Sequence, residues 1–265
     1  MIRKLYISAD IEGICGIVDW KETNVDEAQG AYFREEMTQE VAAVCEAANE
    51  SGVEEIFVKD AHGSGRNMDP SKLPENVRIM RAWTNDPWSM MAGIDASFGG
   101  AVYVGYHSAG GSDGNPLAHT MDTTNVHVLI NGELTSEFRL NALTAASVGV
   151  PSLLVAGDRL LCESAASTVP GILSVPVSEG RGNASISIHP RLARRQIADA
   201  MRKALDSPAP LPGMPDRFEL SILYRQHNMA HKASFFPGAR KIGPLEVAFE
   251  TKEWFEVIRF LYFVL

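Results

Sequence analysis

Four stretches of this chain join a near-continuous apolar run to an acidic residue or a histidine at its end. They are Lys4-Leu5-Tyr6-Ile7-Ser8-Ala9-Asp10, Glu55-Ile56-Phe57-Val58-Lys59-Asp60, Gly100-Ala101-Val102-Tyr103-Val104-Gly105-Tyr106-His107 and Pro151-Ser152-Leu153-Leu154-Val155-Ala156-Gly157-Asp158. Runs with so little polar alternation suit strands covered on both faces, the setting of a parallel sheet with helices on either side. Between the first two, from about residue 32 to 51, Met37, Val41, Cys45 and Ala48 recur at helical spacing, and Ser51-Gly52 ends the pattern. Strand, helix, strand in that order is a βαβ unit. The expected fold is therefore α/β, a mostly parallel central sheet flanked by helices, with a smaller C-terminal lobe.

Further elements follow from local chemistry. Val77-Arg78-Ile79-Met80 reads as a short strand, and Val126 to Thr135 as a hairpin whose Asn131-Gly132 pair supplies the positive φ angles of a two-residue turn. Helices are expected over about 136–148 and over 190–205, the latter with Pro190 in its first turn. The Pro-rich stretch 207–213 cannot be regular structure and marks a boundary. It divides a larger α/β domain, 1–206, from a smaller lobe, 214–265, packed on it. A chain of 265 residues is long for one core and short for two full domains, which fits such a division. The apolar tail 255–265 includes Glu256 and Arg259 and is shorter than the about 20 residues of a membrane span, so it reads as a packed terminal helix.

Charge narrows the partners. A formal net charge of -9 repels phosphate backbones and offers no basic membrane anchor, so neither nucleic acid nor membrane is expected. The three cysteines, Cys15, Cys45 and Cys162, are odd in number and far apart, with no C-x-x-C spacing. That pattern suits buried, reduced thiols better than a disulfide framework or a zinc finger. With no signal-peptide pattern at the start, a cytoplasmic location is expected.

In open α/β sheets ligands bind beyond the carboxyl ends of the strands, so the strand-end residues belong together. Asp10 and Glu12 flank one apolar residue, and an extended segment would put both carboxylates on one face. His62 follows the second strand, with Asp60 placed to orient its ring. His107 ends the third strand, and His119 lies twelve positions on, past a Gly-rich loop; either can be a ligand or a proton-transfer group. Glu137 starts a helix, and Asn141, four residues on, shares its face and can hydrogen-bond the site. Each has an ordinary reading when taken alone: a solvated loop acid, a structural histidine, or an acid complementing a helix dipole. His127, in the hairpin, reads as structural. Together, two carboxylates, two histidines and a further glutamate from four segments are about what a pair of zinc ions requires when water completes the shells.

At these residues the chain resembles the D-aminopeptidase (DppA) family of dinuclear zinc metallopeptidases. The resemblance is carried by Ser8-Ala9-Asp10-Ile11-Glu12-Gly13-Ile14, Val58-Lys59-Asp60-Ala61-His62, Gly105-Tyr106-His107, Ala118-His119-Thr120-Met121, Ile130-Asn131-Gly132, the segment 137–142 and Val155-Ala156-Gly157-Asp158. It implies a zinc aminopeptidase acting on short peptides with an N-terminal D-amino acid such as D-Ala. It further implies two zinc ions per subunit held by Asp10, Glu12, His62, His107 and Glu137, a catalytic role for His119, and self-association into a ring-shaped decamer. The same inventory also serves other dinuclear metal hydrolases, amidases or phosphoesterases, and a non-catalytic binding protein could retain the fold. The lack of a basic cluster near the motifs favours amides over phosphate esters.

Overall fold

The computed structural model describes residues 2–265. The first part of the chain runs through β1 (Lys4–Ala9), α1 (Trp20–Thr23), α2 (Gly30–Glu50), β2 (Glu55–Asp60), β3 (Val77–Met80) and β4 (Gly100–Tyr106). Next come β5 (Asn125–Ile130), β6 (Glu133–Leu134), α3 (Glu137–Ser147), β7 (Ser152–Asp158), α4 (Arg159–Thr168), β8 (Leu173–Arg181), β9 (Ala184–Ser187) and α5 (Pro190–Asp206). The chain ends with β10 (Phe218–Tyr224), α6 (His227–Ala233), β11 (Arg240–Lys241), β12 (Glu246–Thr251) and α7 (Trp254–Val264).

Seven strands form the central sheet in the order β3-β2-β1-β4-β7-β8-β9. All neighbours are parallel except β9, which folds back antiparallel on β8. The unbroken apolar runs are explained by the two cores they serve. Leu5, Ile7 and Ala9 of β1 pack with Met37, Val41 and Cys45 of α2 and Ile197 and Met201 of α5. Tyr6, between them, joins Tyr103 and the α3 and α4 residues Phe138, Ala142 and Leu161 on the other side. Side chains alternate across a strand, so a strand buried on both sides has no polar face to show.

A second sheet, β11-β12-β10-β5-β6, is antiparallel throughout. It takes β5 and β6 from the middle of the chain and the rest from beyond the Pro-rich stretch. The hairpin turns as expected, with φ of 55° at Asn131 and 78° at Gly132. The apolar tail is α7, whose Val257, Phe260, Leu261 and Val264 pack on this sheet with Phe218, Ile222 and Phe249. Among the described residues no helix is long and apolar enough to cross a membrane.

Candidate metal centre

The carboxyl ends of β1, β2 and β4 stand side by side, and the loops leaving them bring the sequence-selected residues into one cluster. His62 Nδ1 lies 3.0 Å from Glu12 Oε2 and 3.3 Å from Asp10 Oδ1. His107 Nε2 is 3.5 Å from both Asp10 Oδ2 and Glu137 Oε2, and His119 Nε2 is 3.6 Å from Glu137 Oε1. The residues fall into two triads, Asp10-Glu12-His62 and His107-His119-Glu137, each with its donor atoms within 4.8 Å of one another. Asp10 reaches into both, one oxygen toward each. Asp10 Oδ2 and His107 Nε2 are buried with no hydrogen-bond partner. Orphaned buried groups of this kind are costly, and a cation between them would satisfy both. The donor set, imidazole and carboxylate, is the one zinc takes.

Close backbone packing makes the convergence possible. The segment after β1 is a turn rather than the extended run the sequence suggested, with Ile14 N–H donating to Ile11 O at 3.0 Å. Its Gly13 N–H donates to Gly105 O at 2.8 Å. A Cβ at Gly13 would stand 1.9 Å from Tyr106 O, and one at Gly157 would stand equally close from the other side. Only glycine allows both neighbouring segments to close on that carbonyl, and so brings Glu12 within reach of His62.

Each of the three histidines has one ring nitrogen against a backbone carbonyl. His62 Nε2 faces Thr23 O at 3.1 Å, His107 Nδ1 faces Ser108 O at 2.9 Å, and His119 Nδ1 faces Leu117 O at 2.9 Å. A proton donated there leaves the other nitrogen as a lone-pair donor toward the cluster. Glu137, the first residue of α3, follows the Ser136 cap and accepts from Met121 N–H at 2.7 Å. It is buried, so its place at the helix start serves the cluster as well as the helix dipole.

Two supporting residues act differently from one another. Asp60 does not touch the His62 ring, contrary to the expectation that it orients the imidazole. It accepts from Asn67 N–H at 2.6 Å and from Met68 N–H at 2.9 Å, while Asn67 Nδ2 donates to His62 O at 2.8 Å. Asp60 therefore shapes the loop that carries His62. Asn141 donates to Tyr106 Oη at 2.8 Å, Tyr106 Oη–H donates to Ser8 Oγ at 2.7 Å, and Ser8 Oγ–H donates to Met90 O at 2.9 Å. This buried chain ties α3 to the strand residues beside His107 and Asp10.

Electrostatics in the cluster are strongly coupled. Burial pushes the Asp10 carboxyl well up, and the charge of Glu12 adds to the push. Burial acts likewise on Glu12, but the charge and hydrogen bond of His62 outweigh it and hold Glu12 well below the usual range. Glu137 is held low in the same way, by His107 and then His119 against its burial. Burial pulls the His62 and His107 imidazoles down, yet Glu12 beside the first and Glu137 beside the second raise both well above their ordinary values. Burial thus favours a proton on Asp10, while protons on the imidazoles balance the charges of Glu12 and Glu137. A divalent ion held by these residues would supply positive charge directly in place of those protons.

The cluster floors a cavity of about 630 Å³. Its lining includes five acids, Asp10, Glu12, Asp86, Asp122 and Glu137, and no Lys or Arg. Composition and spacing gave no warning of several contributors. The Thr23 and Met121 main-chain groups, the tryptophans Trp20 and Trp83, and the clamp of Ser108 N–H on Asp158 at 2.6 Å come together only through the fold. The buried strand end at Asp158 was the one available hint of the last.

Comparison with known proteins agrees with this geometry. A family model described as D-aminopeptidase matches residues 3–263. A D-aminopeptidase of Bacillus subtilis (strain 168) is 32% identical over 260 residues, covering 96% of this chain and 93% of the relative. The solved structure of the Zn-dependent D-aminopeptidase DppA from Bacillus subtilis, a self-compartmentalizing protease, superposes with a TM-score of 0.91 at 29% identity, covering 98% of this chain and 96% of that one. With the match running from the first strand to the last helix, this chain belongs to the D-aminopeptidase family.

Proposed function

We propose that this protein is a zinc aminopeptidase that hydrolyses the N-terminal amide bond of short peptides beginning with a D-amino acid. The observation that carries the reading is the pair of adjoining triads with Asp10 between them, at the base of a cavity open to a small ligand. One ion would be held by Asp10, Glu12 and His62, and a second by Asp10, His107 and Glu137. Zinc held there would lower the pKa of bound water from about 15.7 to about 7 and would polarise the scissile carbonyl. His119 serves as the proton carrier: Leu117 O fixes its Nδ1, so Nε2 is the atom that takes a proton from the attacking water and passes it to the departing amine nitrogen. Its ring stacks on His107 at 4.4 Å and meets Trp20 edge-on at 5.2 Å, which holds that nitrogen in place.

The acidic lining favours the ammonium terminus of a peptide and repels a phosphate group, which supports aminopeptidase over phosphoesterase chemistry. Assembly into a closed ring, a decamer, is part of the same reading, supported by the self-compartmentalizing relative. Three buried, unpaired thiols suit a reducing cytoplasm. A panel of D-alanyl and L-alanyl amides beside a phosphate ester tests the activity: cleavage of the D-amide above the L-amide, with the ester untouched, is expected. Preferred hydrolysis of the ester would overturn it. His119→Ala should keep two zinc ions and lose turnover about 100-fold or more; near-full turnover would remove His119 from its role.

A further inference from the structure

Above its acidic floor, the cavity has walls of another character. Trp20, Trp83, Met90, Met121 and Tyr262 supply aromatic and thioether surface to its lining. Trp83 is held in one orientation. Its Nε1–H donates to Gly63 O at 2.7 Å, and its ring lies over Lys59 Nζ at 4.1 Å. Lys59 is itself fully buried and donates to Ala82 O at 2.9 Å, so the residue before Trp83 is fastened as well. Ala82 N–H donates to Gly65 O at 2.7 Å, and a Cβ at Gly65 would come within 2.8 Å of Ala82.

The segment carrying Trp83 is also conformationally costly. Ala82, Asn85 and Ser89 have φ of 62°, 58° and 46°, and Met121, which also lines the cavity, has 68°. Of the five non-glycine residues with positive φ among those described, only Asn131 belongs to an ordinary hairpin. The other four lie in segments that build the cavity wall. Strain persists where the surroundings over-determine a conformation, and it concentrates at ligand-binding sites. Here the fixed conformation presents a rigid indole to the cavity beside His62.

We infer that Trp83, with Trp20, Met90 and Met121, forms a subsite that selects peptides carrying a large apolar or aromatic side chain next to the scissile bond. This rests on the aminopeptidase reading and gives it a substrate class. A volume of about 630 Å³ lies in the middle of the range of cavities that enclose drug-sized ligands. Aromatic walls bind flat side chains by stacked and edge contacts, and methionines adapt their shape to the remainder. The polar atom of Trp83 is already satisfied by Gly63 O and Lys59 Nζ covers one face of the ring, so the ring has its remaining apolar surface for the ligand.

The test compares D-phenylalaninamide with D-alaninamide as substrates of the zinc-loaded protein, and D-phenylalaninol with D-alaninol as non-hydrolysable ligands in calorimetry. The wild type should favour the phenylalanyl amide by about tenfold or more in kcat/KM. It should bind D-phenylalaninol correspondingly tighter than D-alaninol. Trp83→Ala should lower both preferences at least fivefold, through KM rather than kcat. Trp83→Phe, which keeps an aromatic face without the Gly63 hydrogen bond, should retain most of each. A wild type that favours alanine, or a Trp83→Ala variant that loses both ligands equally, would overturn the subsite. If neither amide is cleaved but the amino alcohols still differ and Trp83→Ala removes the difference, the subsite stands and the hydrolytic reading fails.

Discussion

Glu40 offers a sharp test of how the site loop is held. It lies on the buried side of α2, fully enclosed, and its Oε1 accepts the Cys15 N–H at 3.1 Å, where the loop carrying Asp10 and Glu12 returns to the core. Its Oε2 has no partner. Burial raises its carboxyl from 4.5 to about 8; the Cys15 N–H opposes the rise, and the nearby Glu36 charge adds to it. Between pH about 4.5 and about 8 the folded protein keeps this proton while the unfolded chain has lost it, so stability falls as pH rises through that window. At about 1.4 kcal/mol for each unit of pKa difference, the loss by pH 8 is on the order of 4–5 kcal/mol. Glu40→Gln keeps an acceptor for Cys15 and carries no charge. Urea unfolding of wild type and variant, at one protein and zinc concentration so that shared binding terms cancel, should give similar stability at pH 5. At pH 9 the variant should be more stable by a few kcal/mol. Parallel stability profiles for the two proteins across pH 5–9 would refute the buried-proton argument.

Two other changes probe the framework. Gly13→Ala places a methyl 1.9 Å from Tyr106 O, and something in the β1–β4 junction must move; we expect a loss of about 3 kcal/mol or more with zinc binding impaired, measured by urea unfolding and metal analysis. Ser108→Ala removes the hydroxyl that donates to the buried Asp158 carboxylate, leaving the bonds from Ser108 and Leu161 N–H. That should cost about 1.5–3 kcal/mol without loss of zinc, since the Ser108 carbonyl that meets His107 Nδ1 is kept in the variant, and a thermal melt with a zinc assay checks both parts.

The sheet was legible because its strands are buried on both faces, and unbroken runs such as Gly100–Tyr106 admit few other readings. The site residues were legible as an inventory for a related reason: Asp10, His62 and His107 lie at or just past strand ends, and a parallel sheet aligns those ends. Their exact arrangement was not. Asp10 and Glu12 share a partner through a glycine-dependent turn and not through strand alternation. Asp60 works through Asn67 and Met68, seven and eight residues ahead, a loop contact that no periodicity encodes. Glu40 falls among apolar helix neighbours and would be taken for a surface acid without coordinates. The second sheet was the hardest part, because β5 and β6 pair with β10 and β12 from beyond the Pro-rich stretch, and sequence patterns carry no information about pairing over such separations.

Zinc content and position test the central claim most directly. Metal analysis of the purified protein, joined to anomalous diffraction at the zinc edge, should give two ions per chain, one among Asp10, Glu12 and His62 and one among Asp10, His107 and Glu137. Asp10→Ala should lose both peaks or leave them weakly occupied, because that carboxylate reaches into both triads. A single ion placed elsewhere, or two ions retained at full occupancy in Asp10→Ala, would contradict the paired centre.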